Sequence, residues 1–537
     1  MNPTTMKHLL TLLLLLAATA LQAQTKVEKW GCAELSFHHE ATENPFDVTL
    51  EATFTNGDKS LTVRGFYDGD NTYRIRFMPT DEGRWSYLTR SSARAMNRQK
   101  GTIEATAPSA GNHGPVAADG LGFRYADGTH YHPFGTTTYA LALFRPEIQQ
   151  QTLESLARTG FNKTRFCILP KDYPTEHDAP TLFPFEMVSK SVDAEGNIHY
   201  EWDFSRPNPR FFQNVDRRIL DLQQLGIEAD LILFHPYDKG VWGFDDMGEE
   251  FDRRYLEYLV ARVGSYRNVW WSLANEWDLV RTKKYEDWAT LTRIVVAADP
   301  YRHLCSIHGG SAVYYDYHLP EYTHVSFQDE GPLYTMTAAG TMRQIFRKPV
   351  IADEIGYEGN TQMRWARWSP QFMTHLVTNG IMGGIYVTHG ECYRDPERAD
   401  WVYWSDGSVL RGESWKRIAF LRKIVEEAPH PIRPADISRD EQTSTAGEGY
   451  FFVYFGQQIV RDWVFNLPDS NSHFKRIQKG DKFRVEIINL WDMTIEEYPT
   501  LFEATERINY RHYDTGHRVV QLPETPYVLL RIRKVEN

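Results

Sequence analysis

Between residues 121 and 429, short apolar runs alternate with longer stretches of helical spacing. Candidate strands are Tyr131–Thr137, Asn162–Leu169, Glu228–His235, Val269–Asn275, Leu304–His308, His324–Gln328, Pro349–Glu354 and Gly384–Thr388. Helical patterns occupy Glu147–Thr159, Pro209–Leu225, Glu250–Tyr266, Tyr285–Ala298, Leu333–Phe346, Pro370–Thr378 and Ser414–Glu427. Several stop at a glycine, as at Gly160, Gly226 and Gly380, where a helix C-terminus favours one. Apolar strands interleaved with helices predict a parallel sheet covered on both faces, and eight of them predict a (β/α)8 barrel. A doubly wound open sheet is the rival, but no GxGxxG follows a strand and no GxxxxGK precedes a Ser or Thr.

A chain of 537 residues exceeds one ordinary core, and the flanks have a different texture. Period-2 alternation marks Phe46–Phe54, Tyr73–Phe77 and Arg84–Thr89, with turn chemistry at Asn56-Gly57-Asp58 and Asp68-Gly69-Asp70-Asn71. This predicts an antiparallel β-sandwich over 24–120. After Pro429–Pro434 the alternation returns in Tyr450–Phe455, Phe483–Ile488 and Tyr527–Ile532, predicting a small all-β domain over 430–537. The barrel is expected to occupy 121–429, with every catalytic group inside it.

Lys7 and His8 precede the apolar run Leu9–Ala18, and small residues follow at Ala18-Thr-Ala20 and Leu21-Gln-Ala23. The run falls short of the roughly 20 residues of a spanning helix, so 1–23 is expected to be a signal peptide. Cys32 is placed too far from it for a lipid anchor, so the expectation is a secreted or periplasmic protein without membrane attachment. Net charge is −12, which argues against nucleic acid as a partner. Cys32, Cys167, Cys305 and Cys392 are widely spaced and lack the CxxC pairs of a zinc site, so isolated thiols and no metal or other cofactor are expected.

In a barrel, chemistry sits at the C-terminal ends of strands. The fourth strand runs Val269-Trp-Trp-Ser-Leu-Ala into Asn275-Glu276, and the seventh runs Pro349-Val-Ile-Ala into Asp353-Glu354. Carboxyls on these two strands face each other across the mouth, and a pair about 5 Å apart is the equipment of retaining glycoside hydrolysis. Asp353, Glu358 and Glu391 compete with Glu354 as the second carboxylate. Arg165 on the second strand is expected to hold the nucleophile ionised. His235, His308, Gln328 and His389 end or follow other strands and are expected to contact sugar hydroxyls. A His235/His308/His389 metal trio is the less favoured reading. Nine of the 15 Trp fall between Trp270 and Trp415, and Trp401 and Trp404 are candidates for stacking on a pyranose face. The stretch from Pro170 to Asn208 is long for a loop and is expected to wall the cleft.

Asn275-Glu276, Glu354, Arg165 and His235 resemble the clan of retaining β-glycosidases with catalytic glutamates on strands four and seven. More closely, Phe123–Gly128, Tyr131–Thr136 and Asn268–Glu276 resemble bacterial apiosidase-like or cellulase-like glycosidases, which carry an Ig-like module before the barrel and a β-domain after it. The resemblance implies Glu276 as acid/base, Glu354 as nucleophile and Asn275 as a contact to the sugar 2-hydroxyl. The clan's His-x-Tyr near strand six is replaced here by Phe327-Gln328-Asp329-Glu330. The expected function is double-displacement hydrolysis of a plant or microbial poly- or oligosaccharide. The alternative is a carbohydrate-binding protein whose barrel has lost activity, and pure binding does not need both carboxylates.

Overall fold

The computed structural model describes residues 25–171, 180–238, 240–394, 402–435, 442–468 and 476–535; the expected signal peptide and Trp401 lie outside them. Two compact units are present, one holding the N-terminal strands with residues 257–267 and 298–301, the other holding the barrel and the C-terminal strands.

In the first unit, Thr25–Glu28, Lys100–Thr106, Gly83–Ser91, Leu50–Asn56 and Lys59–Arg64 form one sheet, and Ala33–His38, Thr72–Phe77 and Phe66–Tyr67 another. Alternate residues of both turn inward to a shared core, where Phe54 stacks on Phe77 at 3.8 Å between centroids. Thr25–Glu28 pairs parallel with Lys100–Thr106, so the expected sandwich is not wholly antiparallel.

The barrel strands are β1 (Phe134–Thr137), β2 (Lys163–Cys167), β3 (Glu228–Phe234), β4 (Val269–Ala274), β5 (Cys305–Ser306), β6 (Val325–Gln328), β7 (Val350–Glu354) and β8 (Tyr386–His389). All pair in parallel, in the order β5-β4-β3-β2-β1-β8-β7-β6, which is the cyclic order of a (β/α)8 barrel. β5 and β6 share no ladder among the described residues. The Thr323 N–H donates to the Cys305 carbonyl at 2.9 Å, and the Ser306 hydroxyl to the His324 carbonyl at 2.7 Å, closing that seam. Helices are α1 (Pro146–Ala157), α2 (Pro209–Gln224), α3 (Glu249–Val263), α4 (Tyr285–Ala298), α5 (Met336–Phe346), α6 (Pro370–Met382) and α7 (Ser414–Glu426). None lies between β5 and β6, where the chain is irregular.

Three local expectations are corrected. Pro133 splits Tyr131–Thr137: His130–Tyr131 joins an antiparallel sheet with Gly122–Tyr125 and Val116–Asp119 before β1 starts. Phe123 of this sheet packs on Trp270 at the start of β4, so the sheet covers the N-terminal end of the barrel. Helix α6 runs through Gly380 to Met382 instead of stopping there. A Cβ at Gly380 would strike Val387, so this glycine serves close helix–strand packing. Within the supposed long loop, Phe185–Val192 and Ile198–Pro207 form a hairpin, tied down by the Trp202 indole N–H donating to the Trp242 carbonyl at 2.9 Å.

The barrel interior is ionic rather than aliphatic. Lys163 and Arg165 are two residues apart on β2 and therefore share a face, the inward one. The Lys163 ammonium sits 2.7 Å from both Asp230 on β3 and Asp353 on β7, and Arg165 lies 3.6 Å from Asp230. Ser326 and Thr388 hydroxyls donate to Asp353 at 2.7 and 2.8 Å. Burial alone would raise the Asp353 pKa, but Lys163 and Arg165 outweigh it and hold the carboxyl well below the usual range.

C-terminal strands build a sheet in the order Arg433–Pro434, Thr443–Gly447, Tyr450–Tyr454, Val528–Lys534, Lys482–Asn489, Thr494–Glu497, over a core that includes Phe451, Phe465, Phe483 and Phe502. It docks on the barrel helices. Ser444 donates to the Met382 carbonyl at 2.6 Å, and the Arg417 guanidinium lies 4.2 Å over the Trp491 ring.

Candidate active site

β4 delivers Asn275 and Glu276 to the barrel mouth. Glu276 has left-handed backbone angles (φ 50°, ψ 52°), a conformation costing a non-glycine residue about 1 kcal/mol or more and concentrated at functional sites. On the other side, β7 opposes Gln328 with Glu354 while Ala352 opposes Phe327, so Asp353 is an extra residue in a β-bulge. Asp353 serves the interior network, and Glu354 follows it at the strand end. Both Asp353 oxygens are already engaged there, Oδ1 by Lys163 and Thr388 and Oδ2 by Ser326.

Each glutamate has its own donor. The Gln328 amide N–H donates to Glu276 Oε1 at 3.1 Å, and the Tyr139 hydroxyl donates to Glu354 Oε2 at 2.7 Å. His308 Nε2–H donates to Gln328 Oε1 at 2.9 Å and lies 3.9 Å from Glu354 Oε2, so one imidazole sits between the two systems. Burial, then Arg165, pushes His308 down to a pKa of about 3, so the ring is neutral. Burial first, and then the charge of Glu354, raises the Glu276 carboxyl to about 7, with Gln328 and Tyr237 pulling the other way. The group filling the place of the clan's His-x-Tyr thus touches Glu276. Glu354 is touched by Tyr139, whose hydroxyl is 3.2 Å from that of Tyr357.

The other expected contacts divide. Arg165 Nη2 donates to Asn275 Oδ1 at 2.9 Å, and the Asn275 amide donates to the Tyr237 hydroxyl. Arg165 reaches Glu354 only through space; its hydrogen bonds go to Asn275 and the Asp353 carbonyl. His235 is corrected: Nε2–H donates to the Leu169 carbonyl at 2.8 Å and Nδ1 accepts from the Tyr237 N–H at 3.1 Å, leaving neither nitrogen for a hydroxyl. It instead stacks under Tyr237, centroids 5.0 Å apart. His389 is corrected too, being buried against Phe161 with Nδ1 3.1 Å from the Thr136 hydroxyl. Trp404 lies on Val402–Trp404, which pairs with Glu391–Arg394; its side chain is outside the described set.

Glu358 and Glu391 are also occupied. Glu358 accepts the backbone N–H groups of Glu413 and Ser414 at 2.8 and 3.0 Å, and Glu391 those of Arg411 and Gly412 at 2.6 and 2.8 Å. Glu358 therefore holds the N–H groups at the start of α7, and Glu391 holds those of the two residues just before it. Together with His389 these two glutamates are the described group whose spacing would admit a metal ion. Four converging N–H dipoles favour negative charge there and oppose a cation. Burial raises the Glu391 carboxyl to about 8, against the pull of the Arg411 N–H, with Glu358 adding to the rise. The Asn-Glu and Asp-Glu strand ends were visible in the sequence, whereas Tyr139, Tyr237 and Tyr357 were not. Tyr139 follows β1, and a polar aromatic just after an apolar strand was the available signal. Trp365, half exposed, stands edge-on to Tyr357 at 5.5 Å.

The family model "Apiosidase-like, catalytic domain" matches residues 119–386. Two domains of unknown function, DUF5060 and DUF5605, match 26–92 and 440–533. A protein of Bacteroides vulgatus ATCC 8482 classed as a glycoside hydrolase is 54% identical, with a TM-score of 0.93 over 95% of this chain and 100% of its own. A second structure described as a glycoside hydrolase shares the fold at 16% identity, with a TM-score of 0.56 over 78% of this chain and 97% of its own. A search of curated proteins gave no match. The chain belongs to the apiosidase-like glycoside hydrolases, and it is a glycosidase on a (β/α)8 barrel.

Proposed function

We propose that the enzyme retains anomeric configuration, with Glu354 as nucleophile and Glu276 as acid and then base. The observation that carries the reading is that two carboxyls end β4 and β7, each with a separate hydrogen-bond donor. Tyr139 occupies Glu354 Oε2 and leaves Oε1 to attack the anomeric carbon. As that bond forms, the glycosidic C–O bond breaks and Glu276 gives its proton to the leaving oxygen. Water then yields a proton to Glu276 and attacks the same carbon, releasing Glu354 as carboxylate. A carboxyl near pKa 7 suits both directions of transfer. Asn275, oriented by Arg165, stands beside Glu276 for the 2-hydroxyl.

The substrate in this reading is a plant or microbial poly- or oligosaccharide, and the protein is exported through the signal peptide at 1–23. The barrel would occupy 121–429 between a sandwich over 24–120 and a β-domain over 430–537, with no catalytic group from either flank. No described helix is long and apolar enough to cross a membrane. The test uses dinitrophenyl 2-deoxy-2-fluoroglycosides of several sugars, apiose included. Peptide mass mapping should place a stable sugar adduct on Glu354. An adduct on Glu358 or Glu391, or turnover without any adduct, would overturn the assignment.

A further inference from the structure

At the end of the barrel opposite the two glutamates lies a pocket of about 380 Å³. Its walls include Asp119, Leu121, Arg343, His430, Pro431 and Arg433. The volume falls within the range of small-molecule sites, and it exceeds what a bare phosphate needs. Asp119 already accepts from Arg124 at 2.9 Å, so the one acidic wall residue is neutralised by its neighbour.

Arg343 is the anomaly. It is 9% exposed, and among the described residues its guanidinium takes part in no hydrogen bond or ion pair; its Nε is buried without a partner. An arginine stays charged in proteins, and an uncompensated buried charge is strongly destabilising. Burial works most strongly against it, nearby Tyr386 favours its charge, and the like charge of Arg433 opposes it again. The chain nevertheless makes room for it: a Cβ at Gly384 (φ +79°) would collide with Nη1. Nothing in the catalytic geometry uses this group, since Gly384 precedes β8 while the glutamates follow β4 and β7. A planar fork of donors facing a pocket is suited to a planar or tetrahedral oxyanion.

We infer that this basal pocket binds a small oxyanion, up to the size of a sugar phosphate, sugar sulfate or uronate, with Arg343 as its principal donor. Binding pairs the guanidinium, whose Nε is buried without a partner, and leaves the hydrolytic centre untouched.

The experiment is thermal unfolding of the full chain at fixed ionic strength, replacing sodium chloride by sodium phosphate, sulfate, glucuronate or glucose 6-phosphate, with glucose as the neutral control. A ligand that binds only the folded state raises the unfolding temperature in a saturable way. The expected result is such a rise with at least one oxyanion, lost in Arg343→Met. The oxyanion with half-effect at the lowest concentration separates an inorganic source from a sugar acid. In chloride alone, Arg343→Met should unfold at the same temperature as the parent or higher, because an unpaired buried charge has gone, and its hydrolysis rate should be unchanged. No rise beyond chloride in the parent, an equal rise with glucose, a rise that survives in Arg343→Met, or a lower unfolding temperature of that variant in chloride would each overturn the inference.

Discussion

Replacing Gln328 by leucine should move the basic limb of the activity profile to higher pH. Glu276 must be protonated to act as acid, so activity is present below its pKa of about 7 and lost above it. The Gln328 N–H, 3.1 Å from Oε1, opposes that elevation by favouring the carboxylate. A hydrogen bond to a charged group contributes about 1.5–3 kcal/mol and one to a neutral group about 0.5–1.5, so the difference is about 1 kcal/mol. At 1.36 kcal/mol per unit, the limb should rise by roughly one pH unit. The weaker acid also transfers its proton less readily, so the plateau should fall by roughly a few-fold. His308→Leu, which frees the Gln328 amide, should shift the limb in the same direction by less. The assay is kcat/KM against pH on a substrate with a poor leaving group, and the limb belongs to the Glu276–Glu354 pair. A limb that stays in place or moves to lower pH in Gln328→Leu would refute the placement of this amide on the acid.

Lys163→Met should destabilise the fold by about 3–5 kcal/mol in urea unfolding, because Asp230 and Asp353 would lose the cation 2.7 Å from each inside the barrel. Trp365→Ala should raise KM by roughly fivefold with kcat unchanged, as loss of one aromatic contact of about 1 kcal/mol would do; a fall in kcat alone would place Trp365 elsewhere in the cycle. Glu391, raised to about 8 in the fold, makes a contribution to stability that is complete below its unfolded pKa near 4.5 and lost as pH rises through 8; the pH slope of unfolding in that window should flatten in Glu391→Gln. Exhaustive EDTA treatment should leave turnover intact, and a metal-reversible loss would instead assign a cation to Glu358, His389 and Glu391.

What was legible in the sequence is what has a local period or a local end. Eight apolar runs could be placed because parallel strands are buried on both faces, and Glu276 and Glu354 could be picked out because each ends such a run. What was hidden depends on partners distant in the chain. Tyr139 touches Glu354 across more than two hundred residues, and Lys163 meets Asp353 across nearly as many. Neither contact has a periodic trace. His235 stood where a ligand contact was expected, but the Leu169 carbonyl and the Tyr237 N–H had already engaged both ring nitrogens. Gly380 looked like a helix stop because glycine serves two purposes, termination and close packing, and only Val387 opposite it decides which. The bulge at Asp353 is likewise invisible locally, yet it separates an interior ion-pair partner from the adjacent Glu354.

The central claim is a double displacement at Glu354 assisted by Glu276, and the configuration of the first-formed sugar tests it most directly. Proton NMR of a hydrolysis followed from its first minutes, before mutarotation, reads the anomeric signal of the product. Two inversions at one carbon leave the configuration of the substrate, so the account predicts an initial product with the anomeric configuration of the bond that was cleaved. An initial product of opposite configuration would mean that water attacks directly, and it would contradict the assignment of Glu354 as nucleophile.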